Sequence, residues 1–298
     1  MVRIEGVVPA MVTPFSKDGE IDEHGLREIV DFLIRKGVDG ILVAGTVGEF
    51  HSMTRDERRK IFGASVDQCD GRATVYAGTA SISTDETIMI TKEADDIGVD
   101  VITVITPYFV KIDDEEMFQH YKAIAESTDL PIALYSNPGR AGSTISPACL
   151  GRCSELSNVV AMKDSSGDIS LFQQYLRISG ERMAMMIGRD GLILPALILG
   201  AKGTVNALGN IVPDLVVQLY ENIKRGDYAT ASKLQEKVSA LRLALNVGSF
   251  PVAIKEAMNI LGLPGGYPRK PLLQLADFRR RALMKSLSEL GLSADRER

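Results

Sequence analysis

The chain has 298 residues, is 45% hydrophobic and 24% charged, and carries a formal net charge of −5. That length supports a large core, as one α/β barrel with an appendage or as two domains. An acidic balance without a basic run or stripe argues against a nucleic-acid partner, and no apolar run reaches the ~18 residues of a membrane span.

An apolar run over residues 6–12, ending at Thr13-Pro14, reads as the first strand. A turn through Lys17-Asp18-Gly19 leads to a helix over 23–36, with Leu26, Ile29, Val30, Leu33 and Ile34 at helical spacing. Residues 40–44 form the next strand. The loop Gly45-Thr46-Val47-Gly48-Glu49 follows, then a helix opening at Thr54 with Glu57 in a capping-box pattern. Further strands are predicted at 74–77, 101–105, 132–135, 159–163, 183–187 and 203–206, with helical segments between them. Thr84/Thr87, Asp113/Glu116 and Ser146/Pro147 mark helix starts. Beyond Pro213 only helical periodicity remains, over 215–224, 228–247, 252–261 and 272–290, with a turn through Pro264-Gly265-Gly266-Tyr267-Pro268.

Eight short apolar strands alternating with helices predict a parallel sheet covered on both faces. Eight such units fit a closed (β/α)8 barrel better than an open doubly wound sheet, and no GxGxxG follows the first strand. The fold class is α/β: a TIM barrel over 1–226 with a small C-terminal α-helical domain over 227–298.

The amino terminus lacks a charged leader followed by an apolar segment, so no secretion signal is expected. Cys69, Cys149 and Cys153 cannot all pair and form no CxxC, which points to reduced thiols in a cytoplasmic protein. Arg269-Lys270 and Arg279-Arg280-Arg281 read as solvated helix ends.

A barrel of this kind builds its active site at the carboxyl ends of its strands. Those ends read Thr13, Gly45-Thr46, Gly78-Thr79, Thr106-Pro107-Tyr108, Tyr135, Lys163, Gly188-Arg189 and Asn206. His24, His51 and His120 fall at none of them and read as surface or capping residues. Without an HxH or a carboxylate cluster, no metal is expected.

The strongest chemical group left is Lys163, which closes the apolar run at 159–162 before the helix-start signal Asp164-Ser165-Ser166-Gly167-Asp168. Taken alone, Lys163 reads as a solvated lysine ending an ordinary strand, and Tyr135 as a barrel aromatic. Together, on neighbouring strands about 5 Å apart, they can exchange a proton if both face the lumen. A lysine in a barrel mouth loses water, which favours the free amine as a nucleophile toward carbonyls. A tyrosine beside it can shuttle protons as water is lost. The amides of the 45–49 loop can meet an anion such as a carboxylate, and the Thr46 hydroxyl can orient Tyr135 or bind substrate. A bare GxxG is common in strand-to-helix turns.

Four motifs carry a resemblance: GTVGE at 45–49, TPYF at 106–109, LYSNPGRAG at 134–142 and MKDSSGD at 162–168. With PAMVTPF near the amino terminus and the helical C-terminal region, they resemble the dihydrodipicolinate synthase / N-acetylneuraminate lyase family over essentially the full chain. The resemblance implies a Schiff-base lyase or aldolase without cofactor or metal. Lys163 condenses with the keto carbon of pyruvate or another 2-oxo acid, Tyr135 acts as general acid/base, and Thr46 with the loop amides holds the carboxylate. It also implies a homotetramer, a dimer of dimers. Val47, Arg140, Tyr108, Gly188 and Asn206 are the expected substrate-binding residues. Arg140 matches the arginine that in the synthases grips the carboxylate of aspartate semialdehyde.

Two positions depart from the family pattern. Val47 stands where the family commonly has a hydroxyl. Phe109 replaces a tyrosine that in the synthases reaches the neighbouring subunit's site and completes a proton relay with Thr46 and Tyr135. Phe109 and the GEFHSM run favour a 2-keto-3-deoxy sugar-acid aldolase or dehydratase, which acts on a 2-oxo acid and an aldehyde. Arg140 favours the alternative, a 4-hydroxy-tetrahydrodipicolinate synthase. A non-catalytic barrel that binds 2-oxo acids is a third reading, opposed by the joint retention of Lys163, Tyr135, Thr46 and Arg140.

Overall fold

The structure, a computed structural model, describes residues 4–293. Eight parallel strands make one sheet: β1 (Gly6–Pro9), β2 (Gly40–Val43), β3 (Thr74–Gly78), β4 (Val101–Ile105), β5 (Ile132–Ser136), β6 (Val159–Asp164), β7 (Ala184–Ile187) and β8 (Gly203–Asn206). From β2 to β8 each strand pairs with the next in sequence, and β8 pairs with β1. Ala10 bridges Leu42 beyond β1, with the Met11 N–H donating to the Leu42 carbonyl at 2.8 Å, and this closes the ring. The predicted TIM barrel is therefore present. Its strands are short and apolar because side chains fill the lumen and helices cover the outside.

Nine helices follow through the barrel: α1 (Glu23–Arg35), α2 (Arg55–Cys69), α3 (Thr84–Ile97), α4 (Asp114–Ala125), α5 (Pro138–Ala141), α6 (Pro147–Cys153), α7 (Ile169–Ser179), α8 (Ile193–Leu199) and α9 (Pro213–Lys224). Thr54 and Asp113 form capping boxes with Glu57 and Glu116, as their spacing predicts. Ser83, rather than Thr84, caps α3. A cap needs extended backbone, which Ser83 has and the already helical Thr84 does not. Three further helices complete the described residues: α10 (Tyr228–Ala244), α11 (Val252–Ile260) and α12 (Asp277–Glu289). The expected boundary at 226/227 falls in the turn between α9 and α10, and residues 1–3 and 294–298 at the outer ends lie outside the described residues.

Strand register decides which side chains reach the lumen. Tyr135 pairs with Ile105 on one side and Lys163 on the other, and Lys163 pairs with Met186, which in turn pairs with Gly203. Paired residues share a face and side chains alternate along a strand. Val205 therefore joins the lumen, and Asn206 faces the helix layer. Asn210, fully buried, holds the junction of first and last strands. Its Oδ1 accepts the Val12 N–H at 2.9 Å, and its Nδ2 donates to the carbonyls of Ala10 and Ala207, both at 2.8 Å.

Several expectations need correction. Residues 272–276 are not helical, and α12 begins only at Asp277. Leu275 of this irregular stretch packs over Gly248, whose missing Cβ would sit 2.3 Å from Leu275 Cδ2. Likewise α10 stops at Ala244 rather than at 247. His120 is neither a surface nor a capping residue. It is 5% exposed, with Nδ1 2.9 Å from the Thr84 hydroxyl, and burial pushes its imidazole down to about 4. Arg269 is not a solvated helix end. Its guanidinium is bonded to Glu57, donates to the Ser52 carbonyl at 2.9 Å and the Gly19 carbonyl at 2.8 Å, and lies 4.1 Å over the Phe15 ring. The three cysteines are free and buried. Among the described residues, no helix is long and apolar enough to cross a membrane.

The Arg269 bond draws the Glu57 carboxyl from an ordinary 4.5 to about 2. A carboxyl depressed by folding stabilises the fold fully above its unfolded value, and that contribution is lost as pH falls through the folded value. The melting temperature of Glu57→Gln is thus expected below that of wild type at neutral pH. The gap should close as pH falls from about 4.5 toward 2. A gap independent of pH in a calorimetric series would exclude this linkage.

Candidate active site

Lys163 and Tyr135 stand side by side in the lumen, with Lys163 Nζ 4.2 Å from the tyrosine ring centroid. Both are buried, at 5% and 6% exposure. Room for the lysine stem comes from Gly188 at the end of β7. A Cβ there would fall 3.0 Å from Lys163 Cε and 2.0 Å from Ser165 Oγ, so any side chain displaces both. The loop after Lys163 is fixed from two directions. Asp164 accepts the Ser166 N–H at 3.1 Å and its hydroxyl at 2.8 Å, while Arg189 Nε donates to the Ser165 carbonyl at 2.8 Å. Asp168 then caps α7 through the amides of Ser170 and Leu171, as the helix-start signal predicts.

Burial pushes the Tyr135 phenol up, but the Lys163 ammonium, the Asn137 amide and the neighbouring Thr46 and Ser165 hydroxyls together bring it below the usual phenol range. Asn137 Nδ2 donates to the phenol oxygen at 2.7 Å. The buried Thr46 hydroxyl faces that oxygen but meets no partner in ordinary hydrogen-bond geometry, and so retains capacity for a further one. A phenol tuned this way can give up and recover a proton beside an amine that is adding to a carbonyl.

The Thr46 loop leaves β2 through left-handed backbone at Ala44 (φ 47°) and re-enters helical structure through Glu49 (φ 61°). Gly78 on β3 permits this path, since a Cβ there would sit 2.3 Å from the Ala44 carbonyl oxygen. Beneath the loop, fully buried Glu49 forms an ion pair with Lys255 of α11, itself 1% exposed. Glu49 also accepts the Arg269 N–H at 3.0 Å, and Lys255 donates to the Tyr267 carbonyl at 2.8 Å. Burial draws the Lys255 ammonium down to about 8, although Glu49 opposes the shift.

The remaining expected residues divide. Val47 is buried within the loop. Tyr108 is half-buried and packs edge-on against Phe50 at 5.8 Å, and burial pushes its phenol up. Arg140 is exposed on α5, its guanidinium 4.9 Å from the Phe250 ring centroid. Asn206 does not reach the substrate side. It is turned to the helix layer, where its Oδ1 accepts the Gly209 N–H at 2.7 Å. Phe109 is 92% exposed at φ 78°, a conformation a bulky residue rarely adopts. Sequence reasoning missed Asn137, Ser165 and the Glu49–Lys255 pair. Asn137 stands two residues from Tyr135 in a quoted motif and was the legible one. Among the described residues, no group of three or more His, Cys, Asp or Glu side chains could hold a metal ion.

Gly188→Ala is expected to fold but to push Lys163 and Ser165 from their places. A displacement near 1 Å costs about a hundredfold in rate. The variant's rate of borohydride trapping with pyruvate, beside its circular dichroism, measures this. Unchanged trapping would show the lysine stem has slack here.

The whole barrel has close counterparts. The family model described as the dihydrodipicolinate synthetase family matches residues 3–290. The 4-hydroxy-tetrahydrodipicolinate synthase of Oceanobacillus iheyensis is 36% identical over 283 residues, 95% of this chain and 96% of that protein. A dihydrodipicolinate synthase structure from Bacillus anthracis superposes with a TM-score of 0.94 at 35% identity, covering 97% of this chain and 99% of that one. The chloride-inhibited dihydrodipicolinate synthase of Acinetobacter baumannii, complexed with pyruvate, gives 0.93 at 33% identity, covering 97% and 100%. With fold and sequence so matched over nearly the whole chain, this chain belongs to the dihydrodipicolinate synthetase family and is a lyase of the class I aldolase type.

Proposed function

We propose that the protein is a 4-hydroxy-tetrahydrodipicolinate synthase, condensing pyruvate with aspartate semialdehyde through an imine on Lys163. The observation that carries this reading is the Lys163 amine held 4.2 Å over the ring of a tyrosine whose phenol is lowered. The amine adds to the keto carbon of pyruvate, Tyr135 gives a proton to the departing water, and the iminium forms. Loss of a methyl proton then makes an enamine, whose carbon attacks the aldehyde. The amides of the 45–49 loop and the unpaired Thr46 hydroxyl are the donors for the pyruvate carboxylate. Arg140, whose guanidinium makes no hydrogen bond or ion pair among the described residues, is free to take the carboxylate of the semialdehyde.

The similarity to the Oceanobacillus iheyensis synthase and the unpaired guanidinium of Arg140 support the synthase over the sugar-acid aldolase. Phe109 is the one observation favouring a 2-keto-3-deoxy sugar acid, because it brings no hydroxyl to a relay. A direct comparison decides between them. The expected result is a reduced pyruvyl adduct in wild type and none in Lys163→Ala, by intact mass after borohydride. Turnover with aspartate semialdehyde should exceed that with any 2-keto-3-deoxy sugar acid. The reverse order of turnover would transfer the assignment to the aldolase, and an absent adduct would remove the Schiff-base mechanism.

We further propose a homo-oligomer, a dimer of dimers. Its support is the exposure of Phe109 and Val110, at 92% and 58%, on one strained loop tip beside the site. Phe109→Asp is expected to shift sedimentation toward smaller species, whereas an unchanged profile would place the subunit contact elsewhere.

A further inference from the structure

We propose that Arg242 of α10 and Phe250 complete, with Arg140, a clamp for the carboxylate of the electrophile, which makes Arg242 a specificity-determining residue. The proposal rests on the Schiff-base condensation above.

Two helices distant in sequence, α5 and α10, bring an arginine to one ring. Arg140 approaches from α5, just after Tyr135, with its guanidinium 4.9 Å from the Phe250 centroid. Arg242 approaches from α10 at 5.9 Å. Phe250 itself lies in the segment between α10 and α11. Arg242 is anchored toward the barrel mouth, its Nε 3.8 Å from Asp190 Oδ2. Asp190 is 5% exposed and accepts the N–H groups of Ala207 at 3.1 Å and Leu208 at 3.0 Å, just beyond β8. It stands two residues after Gly188, the glycine against which Lys163 lies. The clamp is thereby tied to the lysine through one short loop.

The way the arginines are held matters as much as their position. A guanidinium attracted to an aromatic ring is oriented without spending its N–H donors. Arg140 keeps all of them free among the described residues, and Arg242 uses one in a bond to Asn246 at 3.4 Å. Two positive groups gathered around one apolar ring, with a single carboxylate against one of them, leave a surplus of positive charge beside the mouth. An arriving carboxylate neutralises it, taking charge-assisted and bidentate bonds. An aldehyde without a carboxylate gains nothing from this arrangement, which gives the site a basis for selection among electrophiles.

Steady-state kinetics of Arg242→Gln and Arg242→Lys, with pyruvate and aspartate semialdehyde varied in turn, test the clamp. In Arg242→Gln the KM for aspartate semialdehyde should rise about tenfold or more. Its kcat, its KM for pyruvate and the borohydride-trapped adduct should stay near wild type. Arg242→Lys, which keeps the charge, should recover part of the loss. Residue 242 serving only to pack α10 predicts instead that both KM values and the melting temperature move, with no recovery by lysine. Either that pattern or an unchanged KM for the semialdehyde overturns the proposal. A wild type that traps pyruvate yet consumes no carboxylate-bearing aldehyde overturns it as well. A wild type that traps no pyruvate removes the underlying mechanism, and the clamp with it.

Discussion

The buried pair between Glu49 and Lys255 is the constraint on which the site's geometry depends. Burying two opposite charges costs several kcal/mol of lost hydration per ion, and an apolar pair of equal volume is often as stable or more so. Stability alone therefore gives no reason for the pair. Its placement does. Glu49 closes the loop that carries Thr46, in left-handed backbone, and Lys255 comes from a helix beyond the barrel. Arg269 adds its backbone N–H to the same carboxylate and its side chain to Glu57 of the following helix. Removing either charge leaves the other buried and unpaired, at about 3–5 kcal/mol. The loop is thus locked to the C-terminal segments by a contact that is severe to break.

From that lock the rest of the site follows by strand geometry. The period of two along each strand sends Lys163 and Tyr135 inward and Asn206 outward, although all three stand at strand ends. Glycines then decide what can approach what. Gly78 admits the Ala44 carbonyl, and Gly188 admits the lysine stem. Neither position tolerates a methyl group without displacing an atom of the site.

Much of this was legible in the sequence, for a physical reason. The eight-fold alternation, the capping boxes and the Lys163–Tyr135 pairing depend on local periodicity and on neighbouring strands. What lay hidden depends on contacts closed over long loops. Glu49 meets Arg269 across 220 residues, and Arg269 looked like a solvated cation because nothing nearby announces Phe15 or Glu57. Residues 272–276 carry helical spacing, but Leu275 packs over Gly248 in an irregular stretch instead. Asn206 was read from its place at a strand end, when its face needed the register through β7 and β8. His120 shows the same limit, since burial of one ring position depends on Thr84 in another helix.

The missing hydroxyl at Phe109 bears on how the proton at Tyr135 is managed. A relay has two physical tasks, to tune the phenol and to carry its proton away. The first is met within one subunit. Against the opposing effect of burial, Lys163, the Asn137 amide and the neighbouring Thr46 and Ser165 hydroxyls suffice to bring the phenol below its usual range, and all belong to this chain. The second needs an acceptor beside the phenol, and the Thr46 hydroxyl, buried and without a partner in ordinary geometry, supplies that capacity. Thr46 can pass a proton only if a further group takes it up, and a phenylalanine offers neither donor nor acceptor. The carboxylate of the bound 2-oxo acid, held by the same loop, is the group that the proposed reaction itself brings to that place. On the proposed reaction, a phenylalanine at 109 would leave the end of the relay to the substrate, while the tuned phenol and the lysine are supplied within this chain.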